Sequence, residues 1–418
     1  MTDKFLFLLI LTLIIFGITQ IWNPFDTDAR MIKDGVLRLG SIGCINYYQS
    51  TIFVSCNGAN LTDINTIINN SSLISKQSSK VWFLNTNIEV KNGSNLYINS
   101  TDVDWLKINS TAGVSHYIKA SGNLLIDSVK ITGWDTIHNS YSKVNSNGTV
   151  PRSYIITKHG AGTTNITNSE IAFLGYDHAE SYGLTYSSGS GSRIDNNKIH
   201  NLQFGFYSQN KVHDILVENN LFYDNVRYGI DPHSGTHDLV IKNNTVYNNG
   251  KHGIICSDHC YNIAVESNKV FNNHEEGIML HKNTSNSIIK NNYLYGNRDQ
   301  IVLHVNSSNN KVYNNTINGG KVGIRVNTGS SNNLIDDNTI KDSDYGIYVL
   351  QGASNNTIDS NKIIGTTKSA IYIQDNNTEN NTFSNNILVD NKISVKYSNT
   401  GTKSNQIFNN TMGNTTLG

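Results

Sequence analysis

Two observations predict an all-β fold, a right-handed parallel β-helix. First, an Asn in an apolar-polar-x-Asn-x-apolar setting recurs at Asn197, Asn220, Asn244, Asn268, Asn292, Asn315, Asn338, Asn361, Asn386 and Asn410, a tandem repeat of about two dozen residues. Second, each Asn is followed by a short apolar alternation, a polar turn and a second apolar piece. That piece often carries Gly-Ile, as at Gly229-Ile230, Gly253-Ile254, Gly277-Ile278, Gly323-Ile324 and Gly346-Ile347. Such pieces are too short and too β-branched for helices, and the chain lacks the Leu spacing or helical period of other repeats of this length.

The repeat explains the composition. Inward residues of successive coils stack into an Ile/Val/Leu core, while Asn at a corner tolerates unusual backbone angles and hydrogen-bonds to its copy one coil away. Upstream, Leu125 to Ile131 and Ile166 to Ile171 read as degenerate coils. The expected division is a signal peptide or membrane anchor over 1–22, a cap or pre-helix region over 23–100, and the β-helix over 101–418.

The apolar run from Phe5 to Trp22 follows Lys4 and suits export, to the cell surface or beyond it, with membrane association through residues 5–22. Charged residues are only 15%, with Lys+Arg and Asp+Glu equal at 32, so a neutral, Asn-rich surface argues against nucleic acid as partner. Acceptor patterns such as Asn60-Leu61-Thr62 and Asn92-Gly93-Ser94 permit glycosylation. Outside the cytosol, Cys44 with Cys56 and Cys256 with Cys260 are disulfide candidates. Cys256 to Cys260 lacks a second cluster at ligand-like spacing, so no metal site is expected there.

One stretch is out of character: Arg227-Tyr228-Gly229-Ile230-Asp231-Pro232-His233-Ser234-Gly235, in a chain with only three prolines. Stepping by one repeat length places Gly205, Gly229, Gly253 and Gly277 in one column. Phe204, Tyr228, His252 and Glu276 form a second, and Gln209, His233, Ser257 and His281 a third. With adjacent coils about 4.8 Å apart, these side chains line one groove at about 176–304. Removing a carbon-bound proton beside a carboxylate needs a base, an acid on the opposite face, and a neutraliser of the carboxylate. His233 suits the base, Tyr228 the acid, and Asp231 either orients an imidazole or neutralises charge by being protonated. His252, Lys251, Arg227, His281, Tyr182, Gln209 and Arg298 are the candidate substrate-binding residues.

Tyr228 through His233 match the catalytic segment Tyr-Gly-(Phe/Ile)-Asp-Pro-His of the mannuronan C5-epimerases, which this chain resembles. The resemblance extends to Gly175-Tyr176-Asp177-His178-Ala179-Glu180-Ser181-Tyr182-Gly183-Leu184, to Phe204-Gly205-Phe206-Tyr207 and to Lys251-His252-Gly253-Ile254-Ile255, about residues 120 to 330. It implies C5 epimerisation of uronate residues within an extracellular polysaccharide, with His233 and Tyr228 as the acid/base pair and Asp231 beside them. No cofactor is required, and calcium is compatible. Two positions depart from the pattern: Ser234 replaces an acid, and Asp258 replaces an arginine that neutralises the substrate carboxylate. Arg227, Lys251, Lys282 or Arg298 would then supply the charge.

Other readings share the groove. A β-eliminating lyase begins with the same deprotonation, and a non-catalytic carbohydrate-binding surface protein would keep the groove without the reaction. Hydrolysis would need paired carboxylates, such as Asp231 with Asp258 or Glu276. A helper in metal insertion would need a Cys, His or Met cluster, and only His252 to His281 could supply one.

Overall fold

The computed structural model of the protein describes residues 43–111, 113–144, 148–375, 377–398 and 404–413. The segment 1–22, read as signal or anchor, lies outside them. Among the described residues no helix is long and apolar enough to cross a membrane.

Short strands wind into a three-sided solenoid whose faces are sheets of 15, 14 and 16 strands, parallel for the most part, with Ile45–Tyr48 and Ile74–Ser78 pairing antiparallel at the N-terminal end. One coil takes Ile230–Pro232 on the first face, Val240–Lys242 on the second and Thr245–Tyr247 on the third. The chain then returns to the first face at Ile254–Ser257. Ile230, Ile254, Ile278, Ile301, Ile324, Ile347 and Ile371 are direct lateral partners, all fully buried. This continuous aliphatic stack is the core, since each coil buries its apolar face only against its neighbours.

The Asn column forms the expected ladder. Oδ1 of Asn268 accepts from the backbone N–H of Asn244 at 2.9 Å and from its Nδ2 at 3.0 Å, and Asn292 serves Asn268 in the same way. Left-handed backbone falls one residue earlier, at Asn243, Ser267 and Asn291, so adjacent residues divide the two roles assigned to one Asn. Two further ladders run through Asn225, Asn249, Asn273 and Asn297, and through Asn310, Asn333, Asn356, Asn381 and Asn405.

The solenoid starts earlier than residue 101. Thr51–Val54 already pairs in parallel with Asn87–Val90, and Val81–Leu84 with Trp105–Asn109. The stacked residues Ile52, Ile88, Ile118, Ile155 and Leu184 follow one another at longer and unequal intervals than the later coils, so extended corners hide the period there. Ahead of these coils stands an antiparallel strand, Ile45–Tyr48, and within the first of them a helix, Leu61–Ile68. Asn60 and Asp63 close a reciprocal capping box on the helix, and Leu61 and Ile64 bury its apolar side.

Cys44 and Cys56 form a disulfide in this region. The second expected bridge is not formed: Cys256 and Cys260 are free, buried thiols. Both lie in the apolar core, and the Cys260 thiol donates to the Pro232 carbonyl at 3.3 Å.

Candidate functional site

The glycine column sets the site's geometry. A Cβ on Gly229 would lie 2.6 Å from the Gly253 carbonyl, 2.6 Å from Val246 Cγ1 and 3.0 Å from Asn249 Nδ2. The missing side chain therefore points inward, at the corner ladder, and Ile230 also points inward. Two consecutive inward positions break the alternation, so Tyr228 and Asp231 both turn away from the core, Tyr228 partly exposed and Asp231 covered.

Tyr182, Phe204, Tyr228 and His252 form a stack along the solenoid, with successive ring centroids 4.5, 5.0 and 5.1 Å apart. Tyr228 and His252 are nearly parallel, at 6°. Arg227 lies over the Tyr228 ring at 5.3 Å, donates to its hydroxyl at 3.5 Å and approaches Asp177 at 3.7 Å. The segment around Asp177 thus reaches the groove.

Asp231 sits between Tyr228 and His233 on the chain and is 1% exposed. Its Oδ1 has no hydrogen-bond partner. Burial pushes its carboxyl up to about 8, against the Ser257 hydrogen bond and the nearby Arg227 charge, so it is mostly protonated at neutral pH. His233 moves the other way: burial lowers its pKa, Lys282 adds to that and Asp258 opposes it, leaving a neutral imidazole. Its Nδ1 lies 2.5 Å from Ser234 Oγ, at the position where an acid was expected. Burial, with Asp231, raises the Tyr228 phenol, which stays protonated.

The remaining expected residues divide. Gln209 lies beside the site, accepting from the Tyr207 hydroxyl at 3.2 Å and donating to Ser187 at 2.8 Å. His281 pairs with His304, their Nδ1 atoms 3.1 Å apart. Among the described residues Lys251 makes no ion pair. Arg298 is committed to Glu276, whose carboxylate also meets His252 Nδ1 at 2.7 Å and Arg325 Nη2 at 3.3 Å. Burial opposes ionisation of Glu276, but His252 and Arg298 outweigh it and hold the group down to about 2. Asp258 is itself neutralised, by Lys282 at 3.2 Å and His259 at 2.5 Å, so a cation from the next coil stands beside the residue that replaces arginine.

Tyr207, His304 and Arg325 escaped the sequence reading. Tyr207 is the lateral partner of Asp231, and its ring lies 5.6 Å from His233. His304 and Arg325 were reachable by continuing the columns of His281 and Asp231, with the repeat shortened by one position in those coils.

Among known proteins, the family described as periplasmic copper-binding protein (NosD) matches residues 131–322, just under half of the chain, and the right handed beta helix region matches 282–416. The chain is a right-handed parallel β-helix. The crystal structure of the periplasmic alginate epimerase AlgG superposes with a TM-score of 0.70 at 23% identity, covering 87% of this chain and 85% of that one. The Dettilon tailspike protein does so at 0.54 and 21%, covering 76% and 68%. No curated protein matches the sequence.

Within this β-helix His252, Glu275 and Glu276 bring ligand atoms within 4.8 Å of one another. They do not fit a metal ion. Glu276 already holds two guanidinium groups, so a cation there would face fixed positive charge. Cys256 and Cys260 lie in the apolar core with the Cys260 thiol on the Pro232 carbonyl, and among the described residues no third donor joins them, so they do not fit copper either.

Proposed function

We propose that the groove binds a uronic-acid polysaccharide and inverts C5 of its uronate units, making the chain a C5-epimerase. One observation carries this reading: a phenol with Arg227 on its hydroxyl, Tyr228, and an imidazole, His233, are linked through the rings of Phe204 and Tyr207 on either side of the buried Asp231. Neutral His233 takes the C5 proton, and the electron pair passes into the carboxylate as an enolate-like intermediate. Tyr228 returns a proton to C5 from the opposite face, with its developing phenolate beside Arg227. Protons then redistribute through solvent to reset the pair, and no oxidant or cofactor is consumed. Arg227 supplies positive charge for the substrate carboxylate, and Asp231, being protonated, adds no opposing charge beside it.

The likeness to AlgG, whose name specifies alginate, supports the polymer class, and the segment resemblance supports the residues. The periplasmic names of AlgG and NosD, the apolar run 5–22 and the Cys44–Cys56 bridge support export.

The test is incubation with poly-mannuronate, poly-guluronate and polygalacturonate in deuterated water, read by NMR. Wild type is expected to place deuterium at C5 of one of them, and His233→Ala to lose at least about 100-fold in rate. No exchange on any uronan, or a His233→Ala protein as active as wild type, overturns the reading. Appearance of unsaturated uronate ends would replace epimerisation by β-elimination.

A further inference from the structure

The outer columns that carry the site do not stop at His304. From Asp231 the same outward column continues through Ile255, Met279, Val302, Arg325 and Tyr348 to Tyr372. The neighbouring column, which holds Glu276 and Asp299, continues to Tyr345. Ile255, Met279 and Val302 form a small apolar floor against which Tyr228 packs. At its far end Tyr345, Tyr348 and Tyr372 stack on one another, with centroids 4.6 to 5.4 Å apart. Lys368 lies 5.1 Å over the Tyr345 ring and Lys396 5.1 Å over the Tyr372 ring.

One lip of this path is basic. In the column that starts at Arg227, the later positions include Lys251, Arg298, Lys321 and Lys368, interrupted by Glu275 and Asp344. Lys251, Lys321 and Lys396 make no ion pair among the described residues, whereas Arg298 is held by Glu276, Arg227 approaches Asp177 and Lys368 pairs with Asp344 at 2.9 Å. In a chain with no net charge, Lys251 and Lys321 on this lip, with Lys396 beyond it, leave uncompensated positive charge for a polyanion.

We infer that Tyr345, Tyr348, Tyr372, Lys368 and Lys396 form a distal subsite that grips an extended polyuronate at a fixed distance from the reacting unit. This rests on the proposed polysaccharide reading and adds where the rest of the polymer lies. The stacked rings spend their faces on one another and on the two ammonium groups, so little side-chain freedom remains to be lost on binding. They offer phenol edges and ammonium donors to carboxylates and hydroxyls. Tyr348 stands five coils beyond Asp231, about 24 Å at the strand spacing. A pyranose unit in an extended chain is roughly one such spacing long, so the subsite is out of reach of a tetramer bound at Tyr228 and within reach of a polymer.

The experiment pairs Lys368→Ala/Lys396→Ala with substrate length. The double variant is expected to raise KM several-fold for the long polymer, leave kcat unchanged, and leave both constants unchanged for the tetramer of the same uronate. The charge-reversed Lys368→Glu/Lys396→Glu is expected to raise KM further and to flatten its dependence on salt. An unchanged KM for the polymer, or an equal rise for the tetramer, overturns the subsite. Polymer binding by calorimetry is measured in parallel on His233→Ala with and without the double substitution. If wild type exchanges no proton on any uronan but the substitution still weakens binding of the polymer, the reaction falls and the subsite stands.

Discussion

Replacing Asp231 by Asn isolates the most unusual charge state in the groove. The side chain keeps its shape and a neutral donor, but it no longer titrates. In the folded wild type the carboxyl lies at about 8, whereas in an unfolded chain it lies near 4. A folded-state value above the unfolded one contributes stability that is complete below the unfolded value and lost as pH rises through the folded one. The slope is about 1.4 kcal/mol per pH unit across roughly four units, so the full span is on the order of 5 kcal/mol.

The Asn variant carries no such loss. Its Tm relative to wild type is therefore expected to be flat below about pH 4, to climb by several degrees between pH 4 and 8, and to level off above. His233 titrates in both proteins, so its contribution cancels in the difference. Differential scanning calorimetry of the two proteins across pH 4 to 9 measures the curve. A pH-independent Tm difference would refute the argument that burial keeps Asp231 protonated. In the exchange assay, wild-type activity should fall as pH rises through about 8, and any activity retained by Asp231→Asn should lack that alkaline limb.

Two further substitutions test the scaffold. Asn268→Ala leaves the Asn244 N–H and the Ile241 carbonyl without their bonds inside the solenoid, and should cost about 3 kcal/mol in the chemical unfolding of the purified protein. Gly229→Ala drives a methyl against the Gly253 carbonyl and Val246, so a loss of about 1–3 kcal/mol in thermal unfolding is expected, together with loss of C5 exchange as Tyr228 is displaced.

The fold and much of the groove were legible because a solenoid turns sequence separation into lateral position. Stepping back one repeat from His281 found a true neighbour, as the Ser257–His281 pairing shows. The same arithmetic could have found the ladder through Asn225, Asn249, Asn273 and Asn297, whose step is just as regular, but the eye is drawn to the Asn flanked by apolar residues. Upstream coils were hidden because insertions at corners leave the pairing intact while erasing the period. Direction was the harder quantity. Cys256 and Cys260 share the core without a bond between them, and Arg298, read as a cation for substrate, is drawn to Glu276 by a charge whose burial depends on three coils at once. Arg325 enters the same cluster from 49 residues away, a separation that only the stacking makes short.

The columns also give this protein a ruler. Each coil between Asp231 and Tyr348 advances by one strand spacing regardless of what its corners carry, so the interval is counted in coils and not set by any single contact. Excising one whole repeat between Val302 and Tyr348 would bring the two ends of the groove closer by about the length of one sugar, leaving each end's own residues in place. Length discrimination in such a molecule would change by whole steps, as notches on a gauge do, and a gene segment encoding a single coil is the natural unit in which to adjust it.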